Sequence, residues 1–378
     1  MVITRIQLKN WKNFGDVNAL CGKRVFLIGP NASGKSNFLD ALRFLREVTQ
    51  DGLQKAVAVR GGMKAVRFLC ARNPSDVCIT VDLDDKWEYR LSFKDKKGVA
   101  YITEECVYLT EEGIRSEILK RPNENDQLDE MRLTQTALQQ VNLNKDFREI
   151  VEFFSSIQYR HILPQLVRDP ESFSPSPNKN DPYGRDLVSQ IWNTPSNRRD
   201  ARLRKINEAL TIAVPQLDNL SVEQDTATGL PHLKVKYNHW RPKAGYQNES
   251  AFSDGTLRLL TLLWSIFSSE GPLLLEEPEL SLHEEIVRQL PGVFSRLDKT
   301  RKKAARQIFI TTHSQAMLSD IGIGLNEVLR LEPGNEGTKI HMVDDEEIFS
   351  IREAGLSVAE TMLPKTRPRD IDQLSLFD

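Results

Sequence analysis

The sequence of 378 residues predicts an α/β fold whose core is built from both ends of the chain around a long mixed insertion. Residues 24–28 form a continuous apolar run, typical of a strand covered on both faces, and a helical pattern follows from residue 34 to about 49. Strand and helix patterns alternate again from 255 to 331. Between these parts, residues 77–109 have the alternation of an antiparallel meander.

The remaining elements follow from the same periodicities. Residues 3–8 alternate like a half-buried strand, residues 110–156 have a polar, helix-like pattern, and a loop rich in Pro, Ser and Asn covers 169–184. The other predicted elements are strands 77–83, 87–93 and 99–109, helices across 185–213, strands 217–223 and 232–237, helix 255–269, strand 272–276, helix 281–297, strand 307–312, helix 314–320 and strand 327–331.

The composition is that of an ordinary globular protein, with 39% hydrophobic and 28% charged residues. This excludes collagen-like, coiled-coil and wholly disordered classes. The net charge of −2 gives no bulk-charge argument for nucleic-acid or membrane binding. The sequence has neither a signal-peptide pattern nor an apolar stretch long enough to span a bilayer, and its four cysteines have no zinc-like spacing. We therefore expect a cytoplasmic protein with reduced thiols and no membrane partner.

A glycine-rich loop between the first buried strand and the first helix fits the pattern GxxxxGK[ST]. Gly29 and Gly34 permit a tight loop whose backbone N–H groups surround an anion. Lys35 can reach the β- and γ-phosphates, and the hydroxyl of Ser36 can ligate Mg²⁺. The loop predicts binding of a nucleoside triphosphate. The predicted nucleotide-binding residues are Gly29, Pro30, Asn31, Ala32, Ser33, Gly34, Lys35, Ser36 and Asn37.

Two carboxylates follow the apolar strand 272–275, at the sheet edge where ligands bind in open α/β folds. Because successive strand side chains point in opposite directions, the two acids need not share a task. We expect Glu276 to hold the Mg²⁺ shell and Glu277 to orient or deprotonate an attacking water. A solvated acidic strand end is the alternative.

Two further positions suit phosphate contact. Ser253, followed by Asp254 and Gly255, is placed to cap the helix from 255 and to form a second anion-binding helix start. One nucleotide does not need two such cradles from one subunit, but two nucleotides held between two subunits do. His313 directly follows the buried strand 307–312, where a γ-phosphate contact competes with a purely structural role.

The set GPNASGKS, FSDGTLRLL, LLLEEPELSLH and ITTHS resembles the RecF/SMC/OLD-like branch of ABC-type ATPases, in its version without a Toprim nuclease domain. LKNWKNFGD is similar to the strand that precedes Walker A in RecF-like proteins. The resemblance implies a P-loop NTPase with an ABC-ATPase head of mixed sheet, an antiparallel β meander and a helical insertion. It also implies ATP and Mg²⁺ as cofactors and a homodimer that sandwiches two ATP molecules, with Lys35, Glu277 and His313 catalytic.

Departures from the family pattern concern two acids and a glutamine. The first Walker B acid is Glu276 rather than Asp. The signature, formed in trans by Ser253, Asp254, Gly255 and Arg258, has Asp254 where glycine is common. This carboxylate must either point away from the phosphates or be compensated, with Arg258 as the candidate partner. Gln158 is the candidate for the glutamine loop.

The predicted domains are a split ATPase core at 1–60 and 250–345, an inserted β meander and helical lobe at 61–249, and a C-terminal helix and tail at 346–378. The insertion has no sustained heptads, which argues against a coiled-coil arm. The residues after His313 are too few for a Toprim domain, and the acidic run 344–347 is better explained as a helix start than as a metal site. We expect a separate effector protein, such as a nuclease.

Two basic clusters and the C-terminal tail are candidate partner sites. The clusters could contact double-stranded DNA through phosphates, or they could be solvated faces. The candidate DNA contacts are Arg198, Arg199, Arg202, Arg204, Lys302 and Lys303, with Lys205, Lys299, Arg301 and Arg306 beside them. The tail resembles a sliding-clamp-binding peptide through Gln373, Leu374, Leu376 and Phe377. A partner protein or the chain's own core are its alternatives.

Two functions of different classes therefore stay open. The first is a DNA-linked ATPase switch that licenses a separate effector in bacterial anti-phage defence or DNA repair. The second is a nucleotide-dependent scaffold that sequesters a partner with slow ATP turnover and no direct DNA role. Glu277 favours true hydrolysis.

Overall fold

The chain divides into two compact units in the computed structural model, which describes residues 1–71, 75–170, 181–238, 245–268, 271–299 and 306–367. The first unit is formed by Met1–Gln158, Gly271–Leu274 and Arg301–Asp378, and the second by Tyr159–Glu270 and Leu275–Thr300. Each unit is built from segments that are distant in sequence.

The first half of the chain contains strands β1 to β7 and helices α1 to α5. Their bounds are β1 Ile3–Trp11, β2 Phe14–Leu20, β3 Arg24–Ile28, α1 Lys35–Asp51, α2 Leu53–Ala58, α3 Met63–Val66, β4 Val77–Leu83, β5 Trp87–Lys96, β6 Val99–Glu111, β7 Ile114–Arg121, α4 Glu124–Leu128 and α5 Arg148–Ser155. Short 3₁₀ segments lie at Glu130–Thr134, Ala137–Gln139 and Lys145–Phe147.

The second half of the chain contains β8 to β15 and α6 to α13. Their bounds are β8 Gln158–Arg160, α6 Pro164–Arg168, α7 Leu187–Trp192, α8 Ser196–Ala213, β9 Leu217–Gln224, β10 Pro231–Tyr237, β11 Tyr246–Asn248, α9 Asp254–Ser268, β12 Leu273–Glu276, α10 Glu284–Lys299, β13 Ile308–Thr311, α11 Gln315–Leu318, β14 Val328–Glu332, β15 Lys339–His341, α12 Asp345–Glu353 and α13 Val358–Thr361.

The predicted meander is present as an antiparallel sheet of order β2-β1-β4-β5-β6-β7 among the described residues. The prediction of helix from 110 was wrong, because β6 continues to Glu111 and β7 returns beside it. Glu112 and Gly113 both have positive φ, at 51° and 80°, and form the tight turn that reverses the chain. β7 is a mostly solvent-facing edge strand, so its sequence is polar and lacks the apolar alternation that predicts a strand.

The second sheet has the order β15-β14-β3-β13-β12-β8 in the described part of the chain. β3 lies between β13 and β14 and is parallel to both, while β15 pairs antiparallel with β14. The sheet is therefore mixed, as expected. The last four residues of β3 are apolar and buried, which fits the position of this strand in the middle of the sheet.

Helix α1 brings its apolar face into the core of the first unit. Phe38, Leu42, Phe44 and Leu45 are fully buried. The ring of Phe44 stacks on Phe93 of the meander with centroids 5.5 Å apart. This packing fixes the helix whose first residue is Lys35, and with it the end of the glycine-rich loop.

The second unit packs helices α6 to α9 with a small antiparallel sheet of order β11-β10-β9, as far as the chain is described. Helix α9 is almost entirely buried, since its residues 256–266 are all buried. Helix α8 lies beside it, and the guanidinium of Arg202 stands 5.5 Å from the ring centroid of Trp264.

All four cysteines lie within the described ranges and are free. Over those same ranges, every helix is too short or too polar to cross a membrane.

Candidate nucleotide-binding site

The glycine-rich loop connects the carboxyl end of β3 to the first turn of α1. Gly29 and Gly34 have φ of 155° and 99°, and Ala32 has φ of 60°. A Cβ on Gly29 would lie 2.5 Å from the carbonyl oxygen of Leu331, and one on Gly34 would lie 2.1 Å from Nδ2 of Asn13. Both glycines are therefore required by space as well as by backbone conformation.

Lys35 folds back into its own loop. It is 7% exposed, and its Nζ donates to the carbonyl oxygens of Gly29 at 2.9 Å and Pro30 at 3.0 Å. Asn31, Ala32 and Ser36 are exposed around it. The ammonium thus stands inside a loop with an open rim, where an anionic ligand can replace carbonyl oxygens as its partner.

His313 follows β13 at the carboxyl end of a strand parallel to β3. Thr311 and Thr312 before it are buried, while the imidazole of His313 is exposed. Ser314 then caps α11, since its side chain accepts a hydrogen bond from the backbone N–H of Met317. The histidine is held at a fixed point between a buried strand and a helix start.

The acidic strand end belongs to the second unit. Glu276 is the last residue of β12, and one of its carboxylate oxygens accepts a short hydrogen bond from the hydroxyl of Tyr159. Glu277 has φ of 42°, so the backbone turns sharply between the two acids. Pro278 is buried directly after it.

The predicted signature lies at the start of α9. The Oγ atom of Ser253 accepts from the backbone N–H of Thr256 at 3.2 Å and lies 2.8 Å from the Thr256 hydroxyl. Gly255 faces the turn after β12, where a Cβ would lie 2.8 Å from the carbonyl oxygen of Ser281. Ser281 itself has φ of 61°. The small residue at 255 is therefore required by close backbone contact.

A cavity of about 400 Å³ opens at this helix start. Ser253, Gly255, Thr256, Ser281 and His283 line it, together with apolar residues of α8, α9 and α10. Backbone N–H groups of a 15-residue helix and small polar side chains thus meet at one opening.

Asp254 is bonded directly by Arg168, whereas the predicted partner Arg258 attracts its carboxylate only electrostatically. Nη2 of Arg168 donates to Oδ1 of Asp254, and Nε2 of Gln165 donates to Oδ2 at 3.1 Å. Arg258 is instead 4% exposed. Burial lowers the pKa of its guanidinium, against the attraction of Asp254, Glu279 and Glu277. Its Nε and Nη1 atoms have no hydrogen-bond partner in the described part of the chain.

The placement of Gln158 contradicts the glutamine-loop prediction. Its backbone N–H donates to Pro272 at the amino end of β12, and its Oε1 accepts from Arg306 at 3.1 Å. Gln158 therefore lies beside Pro272, which precedes the first residue of that strand, while Glu276 is the last. A glutamine loop needs a residue at the carboxyl edge of the sheet.

The candidate DNA contacts separate into different environments. Arg198, Arg204 and Lys205 are exposed on α8, although Lys205 also lies over the ring of Phe267. Arg199 and Arg202 lie over the rings of Trp192 and Trp264. Arg306 is 4% exposed and donates to the carbonyl oxygen of Gly271 at 2.6 Å, so it is removed from the second cluster. The other predicted contact residues, Arg301, Lys302, Lys303, Gln373, Leu374, Leu376 and Phe377, lie outside the described residues.

Residues 24–319 match the family described as "AAA domain, putative AbiEii toxin, Type IV TA system". The chain belongs to this AAA-domain family. A curated relative, the chromosome partition protein Smc of Clostridium kluyveri (strain NBRC 12016), is 36% identical over 94 residues. That match covers 23% of this chain and 8% of the relative, so the chain spans only a small part of the relative's length.

Two solved structures support the fold of this AAA-domain protein. The first is the SmcHead bound to the C-winged helix domain of ScpA, with a TM-score of 0.55, 16% identity, and 92% and 99% of the two chains covered. The second is the Smc head domain with an extended coiled coil bound to the C-terminal domain of ScpA, derived from Pyrococcus furiosus. Its TM-score is 0.50 at 13% identity, covering 93% and 98%. The predicted fold, that of a P-loop, ABC-type ATPase head, is confirmed.

An ATPase of this family implies Mg²⁺, and each unit by itself offers an oxygen donor that suits this ion. The hydroxyl of Ser36 is exposed on the first turn of α1, and Glu276 offers a carboxylate at a strand end. Both are hard oxygen ligands of the kind that Mg²⁺ takes. No cluster of three or more His, Cys, Asp or Glu suited to a metal occurs in the described ranges. A few protein oxygens suit an ion bound mainly through phosphates and water.

The structure also assigns contacts that the motifs did not indicate. Tyr159 bonds the first acid, Arg168 bonds the signature, and Asn13 with Thr338 contacts the phosphate loop. The two residues in each of these contacts are between 20 and 305 positions apart in the sequence. Of these residues, Asn13 lies within the LKNWKNFGD segment, which is similar to the strand that precedes Walker A in RecF-like proteins.

Proposed function

We propose that this chain hydrolyses ATP and acts as a nucleotide-driven switch that closes around two ATP molecules as a homodimer. One observation carries the proposal: a single chain holds both a formed phosphate loop and a capped signature helix, on separate compact units. A site that is completed by a second copy needs both parts on each chain. The assignment of 1–60 and 250–345 to the ATPase core belongs to this proposal.

Each residue has one task in the proposed reaction. Lys35 leaves the carbonyl oxygens of its loop and binds the β- and γ-phosphates. Ser36 and Glu276 are the residues that would hold Mg²⁺, which would screen phosphate charge. Glu277 orients the attacking water and accepts its proton, while His313 contacts the γ-phosphate. These steps use ordinary phosphoryl-transfer chemistry without a covalent intermediate.

The signature acts in trans in this proposal. Ser253 and the first N–H groups of α9 face the γ-phosphate held by the partner subunit. The pair Arg168–Asp254 cancels the negative charge that the variant signature brings to this position. Closing two heads therefore requires ATP, and hydrolysis removes the γ-phosphate that joins them.

ATP turnover and molar mass test this function together. The wild-type chain should hydrolyse ATP and double its mass with ATP and Mg²⁺. Glu277→Gln should lower kcat by at least about a hundredfold while it keeps, or strengthens, the ATP-dependent dimer. Glu284→Gln, at an exposed glutamate paired with Arg288, is the matched control and should behave as wild type. Equal kcat in wild type and Glu277→Gln would contradict the proposal.

A protein partner and DNA are the finer parts of the proposal. The two Smc heads are each bound to a domain of ScpA, which supports partner binding by this fold. Arg198, Arg204 and Lys205 on α8 form an exposed basic face for DNA phosphates. Changing all three to Ala should weaken duplex binding and flatten its salt dependence. Unchanged binding would remove DNA from the proposal.

We further propose that the switch licenses a separate effector, such as a nuclease, in anti-phage defence or DNA repair. The family description, which names a toxin of a type IV toxin–antitoxin system, supports a role controlled by another component. The tail segment from Gln373 to Phe377 stays a proposed clamp or partner peptide. DNA-stimulated ATPase activity would separate this switch from the alternative scaffold, whose turnover is slow and insensitive to DNA.

A further inference from the structure

A threonine near the end of the described chain lies against the phosphate loop. Thr338 directly precedes β15 and is 5% exposed. Its Oγ1 donates to the carbonyl oxygen of Ser33 at 2.9 Å, and its backbone N–H donates to the carbonyl oxygen of Asn13 at 2.9 Å. A residue 305 positions downstream thus contacts the backbone of the nucleotide-binding loop.

Asn13, in the turn between β1 and β2, completes the arrangement. Its Nδ2 donates to the carbonyl oxygen of Ser33 at 3.1 Å and to Oγ1 of Thr338 at 2.7 Å. Its Oδ1 accepts from Nδ2 of Asn37 at 2.7 Å. We call Asn13, Ser33 and Thr338 the loop clasp. Two donors therefore hold one carbonyl oxygen of the loop.

The peptide bond transmits this contact to the phosphate side of the loop. The carbonyl of Ser33 and the N–H of Gly34 belong to one planar trans peptide, so they point in opposite directions. Fixing the carbonyl from outside fixes the direction of the Gly34 N–H toward the other side. Gly34 has φ of 99° and leads directly into Lys35, the first residue of α1.

Strand pairing and close packing hold the turn that carries Thr338. β14, which leads to the Thr338 turn, pairs in parallel register with β3, which leads into the phosphate loop. Gly337 has φ of 95°, and a Cβ there would lie 2.9 Å from both the carbonyl oxygen of Asn13 and the ring of Phe68. The turn is therefore pressed against Asn13, and strand pairing holds the clasp and the loop in one frame.

We propose that Asn13 and Thr338 are positioning residues for nucleotide binding, which aim the Gly34 N–H at a phosphate by holding the Ser33 carbonyl from outside the loop. The inference rests on the proposed ATP binding. Both residues lie outside the stretch 24–319 that matches the family, so the clasp is a feature of this chain beyond that match. Neither residue contacts phosphate, and each acts through the Ser33–Gly34 peptide.

Thr338→Val in the full chain tests the clasp, because valine keeps the shape and removes the hydroxyl. We expect the Kd for ATP and the KM to rise about three- to tenfold, with kcat changed less than twofold. Thr338→Ser keeps a hydroxyl and should restore both values. Thr136→Val, at a fully buried threonine whose hydroxyl bonds Gln139, is the matched control and should bind ATP as wild type.

The outcomes separate this inference from the proposed function. Wild-type binding of ATP with unchanged Kd and KM in Thr338→Val would overturn the clasp alone. Weakened binding that Thr338→Ser does not restore would also contradict it, because the hydroxyl would not be the cause. A wild-type chain that binds no ATP would overturn the proposed function and the clasp together.

Discussion

The guanidinium of Arg168 donates from Nη2 to a carboxylate oxygen of Asp254 and to the carbonyl oxygen of Phe252, on either side of Ser253. One arginine therefore bonds the backbone before the signature serine and the side chain after it. Gln165, on the same short helix α6, bonds the second carboxylate oxygen. The negative charge that Asp254 adds to the signature is thus paired with an arginine of the same chain.

Removing this arginine should slow hydrolysis more than it weakens ATP binding. Arg168→Ala leaves Asp254 uncompensated at a helix start that must accept phosphate, so we expect kcat to fall about five- to tenfold with the Kd for ATP nearly unchanged. The change Asp254→Gly removes the carboxylate. In that background Arg168→Ala should have little further effect, and a double-mutant cycle of ATPase rates measures the coupling. Additive effects would show that the pair does not act through charge.

The phosphate loop should depend on Lys35 for binding. Lys35→Ala removes the cation that fills the loop, and we expect the Kd for ATP to rise at least about tenfold. Isothermal calorimetry with ATP and Mg²⁺ measures the change. Lys23→Ala, at an exposed lysine just before β3, serves as the control. Similar Kd values for wild type and Lys35→Ala would place the nucleotide elsewhere.

Tyr159 should influence the metal requirement. Its hydroxyl bonds Glu276, and groups that orient a metal-binding carboxylate tune the affinity of the site. Tyr159→Phe should raise the Mg²⁺ concentration needed for half-maximal ATPase activity about three- to tenfold. Activity titrated with Mg²⁺ at saturating ATP measures it. No shift in that concentration would mean that Glu276 acts independently of Tyr159.

The stability of the protein at acidic pH should depend on Asp40, a residue of α1. Burial raises the pKa of this carboxyl, but the charges and hydrogen bonds of Arg60 and Lys12 outweigh it and hold the pKa below its usual value. A lowered folded-state pKa stabilises the protein above the unfolded pKa of about 4 and loses that contribution as pH falls toward the folded value. The difference in Tm between wild type and Asp40→Asn should therefore be largest near neutral pH and shrink below about pH 4. A difference independent of pH would contradict this.

The sequence predicted the elements with strong periodicity and missed contacts that depend on tertiary register. The apolar run of β3 and the stripe of α1 identified the loop between them, since burial patterns are local. β7 was missed because a solvent-facing edge strand has no apolar alternation. Arg258 was the predicted partner of Asp254, whereas Arg168, 86 positions away, is brought there by the fold.

The dependence on tertiary register also limits how much of the candidate site the sequence can predict. The glycines and Lys35 form a pattern fixed by local backbone geometry, which a motif reports. The hydroxyl of Thr338 contacts Ser33 only because β14 pairs with β3 in one register. Gln158 was misplaced for a related cause, since the sequence does not show which end of β12 it lies beside.

Mixing two inactive variants tests the central proposal of a shared site most directly. Lys35→Ala disables the phosphate loop, and Ser253→Arg blocks the signature helix start. A mixed dimer contains two nucleotide sites, each formed by the phosphate loop of one subunit and the signature of the other. One of these sites carries both substitutions and the other site carries neither. The proposal predicts that an equal mixture recovers about a quarter of wild-type ATPase activity, since half of the dimers are mixed. Activity no greater than that of the separate variants would contradict it.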